Sequence, residues 1–214
     1  MSKQQQYYLL FAEFFLIFGG LPLLLLLEQE RSVRFTVLWV FAFYGLWRLC
    51  RNGKFSLKSE WNWPEVAKGI SRVLRRFAPC AIVLVGMLFV LLPDRALSLP
   101  LERTRLWLLI LLLYPLLSVL PQEILYRSLF HSRYAALFSS RTTIFIVAGL
   151  VFGWAHIIFE NWVAVFLCTI GGVLFSDTYL RHRSLALVWV EHSLYGCFIF
   201  TIGLGTYFYN GNVG

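Results

Sequence analysis

Glu123 and Arg127 in PQEILYRSLF, His156 in FGWAHIIF and His192 in VWVEHSLYG each lie inside a long apolar run. An ionisable side chain near the centre of a bilayer costs about 2.5–3.5 kcal/mol on insertion scales, so it pairs within the bundle and marks function. A glutamate and two histidines are also the groups from which a proton-transfer site is built. Glu123 and Arg127 are four apart and share one face of a helix, where they can form an ion pair. That pair has a purely structural reading too, because each charge lowers the burial cost of the other. Gln122, rotated by about 100° from Glu123, faces a different neighbour. His156 follows Phe152 by four residues, which sets an aromatic ring one turn below the imidazole. His131 stands beside Arg133, and His182 between Arg181 and Arg183; these two read as solvated or headgroup-facing.

The elements that carry these residues are membrane helices. The chain has 214 residues, 59% of them hydrophobic, 18% aromatic and only 14% charged. Soluble domains average about 45–50% apolar and about 25% charged, so a soluble domain is excluded. Apolar runs at 7–27, 33–49, 77–92, 106–130, 143–159, 162–179 and 185–207 predict seven spans, at about 20 residues per crossing. The first is longer than a signal-peptide core and no small-residue cleavage pattern follows it, so it reads as a retained helix. The expected fold is all-α: a polytopic membrane bundle of about seven transmembrane helices with one amphipathic interfacial helix, in a single domain. Residues 1–105 form its N-terminal spans and basic loop, and 106–214 its motif-bearing core.

The interfacial helix is predicted within 51–76, whose basic residues are Arg51, Lys54, Lys58, Lys68, Arg72, Arg75 and Arg76. Pro64 suits a first helical turn, and Val66, Ile70, Val73, Leu74 and Phe77 recur at helical spacing. Trp61 and Trp63 sit at headgroup depth in this reading. A cytoplasmic N-terminus puts Arg31, Arg34, Arg95, Arg103 and Arg105 outside and the remaining fourteen of nineteen Lys and Arg inside. That bias explains the net charge of +8 as a positive-inside signature rather than a nucleic-acid surface. The setting expected is a bacterial cytoplasmic membrane. Cys50, Cys80, Cys168 and Cys197 show no CxxC spacing and read as buried packing residues.

The order of the polar motifs resembles the CAAX prenyl protease and bacteriocin-processing (CPBP, Abi) family of intramembrane endopeptidases. Its first motif, EEx₃R, is matched by Gln122-Glu123-Ile124-Leu125-Tyr126-Arg127, and its second, Fx₃H, by Phe152-Gly153-Trp154-Ala155-His156. Gly171-Gly172, Tyr179 and Ser184-Leu185 then lead into a late helix with His192. The resemblance covers roughly 118–205. Two positions depart from it. The glutamate that would activate water in the family is Gln122 here, and the asparagine of the last motif, Hx₃N, is Gly196.

The resemblance implies an endopeptidase acting on a membrane protein or on a lipid-modified or leader-bearing peptide. In that reading Glu123 replaces the missing base and works with His156 on a water approached from the cytoplasm or from lipid. His192 and Gln122 hold the oxyanion, Arg127 fixes the motif helix, and Phe152 and Trp154 line the cavity. Glu191 is a substitute carboxylate in a second version. No cofactor is implied; zinc on two histidines and a carboxylate is the metal alternative, without an HExxH. The non-enzymatic alternative is a decayed member acting as a membrane scaffold, chaperone or partner-binding protein. A transporter is disfavoured by the lack of an inverted repeat. Convergence of Glu123, His156 and His192 on a wet cavity favours catalysis, and a Glu123 consumed by Arg127 in a dry contact favours the scaffold.

Overall fold

The computed structural model describes residues 2–28, 30–51 and 55–208. Lys54, one of the basic residues of the loop, and the tail from 209 lie outside them. Seven helices among the described residues are long and apolar enough to cross a membrane: α1 (Lys3–Leu27), α2 (Arg31–Cys50), α3 (Leu57–Leu91), α4 (Thr104–Leu137), α5 (Arg141–Phe159), α6 (Trp162–His182) and α7 (Leu185–Ile202). No strand occurs among them, and the chain is an all-α polytopic bundle. The basic amphipathic stretch is helical, and it runs without a break into the third span as the 28-residue helix Pro64–Leu91. Of the cysteines only Cys168 is buried; Cys50 is exposed and Cys80 and Cys197 are half-buried. A thiol on a lipid-facing surface needs no packing partner, because lipid is as apolar as a core.

Connections gather at two ends. At the end opposite the N-terminus, Arg34 donates to the carbonyls of Glu28 and Ile158, Leu97 N–H bonds Ile202 O at 3.1 Å, and Asn161 Nδ2 bonds Tyr207 O at 2.7 Å. At the other end, Asn62 Nδ2 donates to Arg183 O at 3.2 Å and Ser184 Oγ to Asn62 O at 2.9 Å. Glu60, just before Pro64, accepts from Ser128 of α4 and Tyr179 of α6 and ties the start of α3 over the core. His131 is buried there, bonded to Ser176 at 2.8 Å and stacked on Tyr179, and is therefore not the solvated residue its neighbouring arginine implies. His182 is half-buried against Glu65.

Two helices depart from α geometry near prolines. The α1 helix is π-helical over Phe15–Gly20, ahead of Pro22, and α4 is π-helical over Pro115–Val119 and Ile124–Tyr134, around Pro115 and Pro121. A proline removes one donor from the ladder and leaves a carbonyl that lipid cannot satisfy. Tryptophan indoles donate to carbonyls of these distorted segments: Trp39 to Leu117 O at 3.1 Å, Trp189 to Pro115 O at 2.7 Å and Trp154 to Gly19 O at 3.0 Å. Leu117 is the residue four before Pro121, so its carbonyl is the one that proline orphans.

The tightest seam joins α5 and α6. A Cβ at Gly172 would lie 2.8 Å from Phe152 Cβ, 2.9 Å from Gly149 Cα and 3.1 Å from Ala148 O, whereas one at Gly86 meets nothing within 4 Å. Small residues of this kind let membrane helices approach backbone to backbone. Gly172→Ala is expected to cost about 2 kcal/mol through overpacking. In a chain of this size that lowers Tm by about 4–8 °C, while Gly86→Ala leaves it unchanged or slightly raised; thermal unfolding of the two purified variants in one detergent measures the difference.

Candidate functional site

Pro115 and Pro121 decide how α4 presents its charged turn. Glu123 and Arg127 are both fully buried, and their ion pair closes at 3.2 Å. The guanidinium also donates to Tyr126 O at 2.9 Å and lies over the rings of Phe152 (4.9 Å) and Phe175 (5.5 Å). The other oxygen of Glu123 accepts from His192 Nδ1 at 2.7 Å. A carboxylate held against a guanidinium is acceptor-only, so Nδ1 carries the proton and Nε2 is left with its lone pair. Tyr114 O–H occupies that lone pair at 3.2 Å.

His156 is fixed by the same logic on a different partner. Its Nδ1 bonds Phe152 O at 2.7 Å, and a carbonyl also only accepts, so Nε2 is again the free acceptor. Phe152 is the hub of the site: its ring lies 4.8 Å from the imidazole of His156 and 5.5 Å from that of His192, centroid to centroid. Phe175 stacks on the His192 ring at 4.7 Å.

Beside these rings lies a cavity of about 1350 Å³ whose wall includes Tyr114, Gln122, Phe152, His156, His192 and Gly196. Gln122 Nε2 donates to Ser118 Oγ at 2.9 Å, and its Oε1 has no hydrogen-bond partner among the described residues. Glu123 is not on the wall. It reaches the cavity only through His192. Each helix contributes only the half remote from the N-terminus, for instance residues 17–25 of α1 and 79–91 of α3. Met87, Leu109 and Phe166 belong to the wall and are exposed, so the cavity opens sideways to the surroundings of the bundle.

Several expectations change. Glu123 bonds His192 of α7, whereas His156 bonds Phe152 O. Trp154 does not line the cavity; its indole turns to α1 to satisfy Gly19 O. Glu191 is fully buried and off the wall, since adjacency on α7 points it away from the side His192 faces. The cavity lies towards the end of the bundle remote from the N-terminus. Among the described residues no three His, Cys, Asp or Glu side chains gather as metal ligands. Tyr114 escaped the sequence reading because it stands as one tyrosine in a leucine run; the Pro115 that follows it is the only local signal.

Removing one partner of a buried ion pair leaves an uncompensated charge, which costs about 3–5 kcal/mol. Arg127→Met is therefore expected to destabilise by that amount, and Arg127→Met/Glu123→Gln to recover part of it, because Glu123 is then no longer a buried carboxylate without its cation. Thermal unfolding in detergent of both variants beside wild type reads the cycle.

The family described as type II CAAX prenyl endopeptidase Rce1-like matches residues 104–198, the stretch that runs from the start of α4 into α7. No curated protein and no solved structure matches the chain. Over that stretch, which carries the three motif positions in order with departures at Gln122 and Gly196 and forms the histidine-bearing wall of the cavity, the chain is similar to the CAAX prenyl protease and bacteriocin-processing family of intramembrane endopeptidases.

Proposed function

We propose that the protein is an intramembrane endopeptidase whose water is activated by His192, oriented by Glu123. One observation carries this reading: the bond of 2.7 Å from His192 Nδ1 to a fully buried carboxylate, which leaves Nε2 as an acceptor at the cavity wall. A carboxylate behind a histidine fixes its tautomer and stabilises the imidazolium that forms when Nε2 takes a proton. Arg127 lies against the other oxygen of Glu123 at 3.2 Å and holds the carboxylate in place.

The chemistry balances without a further reactant. His192 Nε2 takes one proton from water as the oxygen bonds to the peptide carbonyl carbon, and the π pair moves to the carbonyl oxygen. His156 Nε2 and Gln122 Oε1, both acceptors on the wall, orient the same water through its other proton. Collapse re-forms the carbonyl and breaks the C–N bond, and the proton on His192 passes to the leaving nitrogen. An apolar cavity open to the side of the bundle suits a substrate that arrives from the bilayer: a membrane protein, or a lipid-modified or leader peptide. The basic excess at the end bearing the N-terminus supports a cytoplasmic N-terminus and a bacterial inner membrane.

A second reading is favoured by a separate observation. The first-motif side chain on the cavity wall is the amide of Gln122, and the Glu123 carboxylate is buried behind it. A family member that binds its substrates without cutting them would look like this. Cleavage of a membrane-tethered peptide library in proteoliposomes separates the two. The protease reading expects cleavage by wild type, a loss of about 10²–10⁴-fold in His192→Phe, and a fall in Glu123→Gln. Cleavage by Gln122→Glu but none by wild type would establish the binding reading instead.

A further inference from the structure

We infer that the hydroxyl of Tyr114 is the donor that holds the oxyanion, and that Gly196 is a glycine so that this ring can reach the site. The inference rests on the water-activating role of His192 proposed above.

A base alone does not complete the site, because the charge that develops on the carbonyl oxygen needs a fixed donor in a water-poor setting. Tyr114 O–H lies 3.2 Å from His192 Nε2, on the same wall. In the resting site it donates to Nε2. A water arriving at Nε2 takes that acceptor, and the hydroxyl is then free to turn to the second oxygen on the attacked carbon.

The ring is held where the role requires. It packs edge-on against Phe200 at 5.4 Å and His192 at 6.2 Å. The turn after it is clamped by Trp189 to Pro115 O at 2.7 Å, and an earlier turn of α4 by Trp107 to Thr201 at 3.0 Å. Above all, a Cβ at Gly196 would collide with the Tyr114 ring and hydroxyl. Gly196 lies one turn beyond His192 on α7, so the tyrosine fills the place that any side chain at 196 would take. Ring and side chain exclude one another there, and the chain has the ring.

Tyr114→Phe keeps the ring and removes only the donor. It is expected to lower kcat on the cleaved peptide by about 10²–10³-fold with KM little changed. Gly196→Asn alone should unfold or inactivate the protein. Tyr114→Ala/Gly196→Asn should be more active than Tyr114→Ala, because an amide donor then stands in the vacated room. Binding of a peptidyl trifluoromethyl ketone, whose hydrate carries the tetrahedral geometry, gives a readout independent of turnover. Tyr114→Phe should weaken it by about 10²-fold while affinity for the parent peptide holds.

Wild-type kcat or wild-type analogue affinity in Tyr114→Phe overturns the inference, as does an analogue that wild type fails to bind. His192→Phe inactive beside a fully active Tyr114→Phe would leave the base standing and remove the donor. A Tyr114-dependent analogue affinity with His192 dispensable for cleavage would do the reverse.

Discussion

Glu123 has two cationic or donating partners and no solvent, and the rest of the site follows from that arrangement. A lone carboxylate at zero exposure in a bundle would be lost to protonation or unfolding. Here Arg127 supplies the charge and His192 the second hydrogen bond. The guanidinium in turn lies over the rings of Phe152 and Phe175, which also contact His192. Four helices are thereby committed to one another: α4 through the pair, α5 through Phe152, α6 through Phe175 and α7 through His192. Charge holds the pair together more than hydrogen bonding does, since Arg127 Nη2 and, on the cavity wall, Gln122 Oε1 have no hydrogen-bond partner among the described residues.

That arrangement is reached through the prolines of α4. Two π-helical segments separate Tyr114 from Arg127, and each shifts the side chains beyond it relative to an ideal helix. Such winding frees carbonyls in a medium with no water to take them. The tryptophans that cap them come from α2 and α7, so the devices that tolerate the distortion are the same contacts that assemble the bundle. The distortion and the packing are one constraint, and π turns of this kind recur at functional sites.

Much of this could be read from the chain. Apolar runs of about 20 residues marked the spans, and the i, i+4 spacing put Glu123 with Arg127 and Phe152 under His156. What could not be read depends on rotation between helices. The partner of Glu123 on α7 is set by π turns that no hydrophobic period announces. His131 stands next to Arg133 only in sequence; across the bundle it meets Ser176 and Tyr179, and contacts from another helix overrode the local charge pattern. Trp154 looked like a cavity residue because it lies between Phe152 and His156, yet a carbonyl on α1 claims its indole. Glu13 interrupts the first span without any visible partner in sequence. In the fold it accepts from Tyr44, Tyr134 and Arg133, from two other helices.

The two departures from the family motifs are linked by the physics of the cavity rather than being separate losses. A carboxylate at 122 would stand on a largely apolar wall with Ser118 as its nearest partner and no cation beside it. The chain keeps an amide there and places its carboxylate one residue along, behind the wall, where Arg127 compensates it. Charge then reaches the cavity only by way of an imidazole, which can be neutral at rest. Gly196 belongs to the same solution, since opening that position admits the Tyr114 hydroxyl to the very nitrogen that Glu123 orients. A chain that had merely lost function would have no reason to keep a buried ion pair, whose replacement by packed apolar residues is commonly neutral or stabilising. Retaining Glu123, Arg127 and His192 in one linked unit is the costlier arrangement, and His192 carries it to the cavity wall.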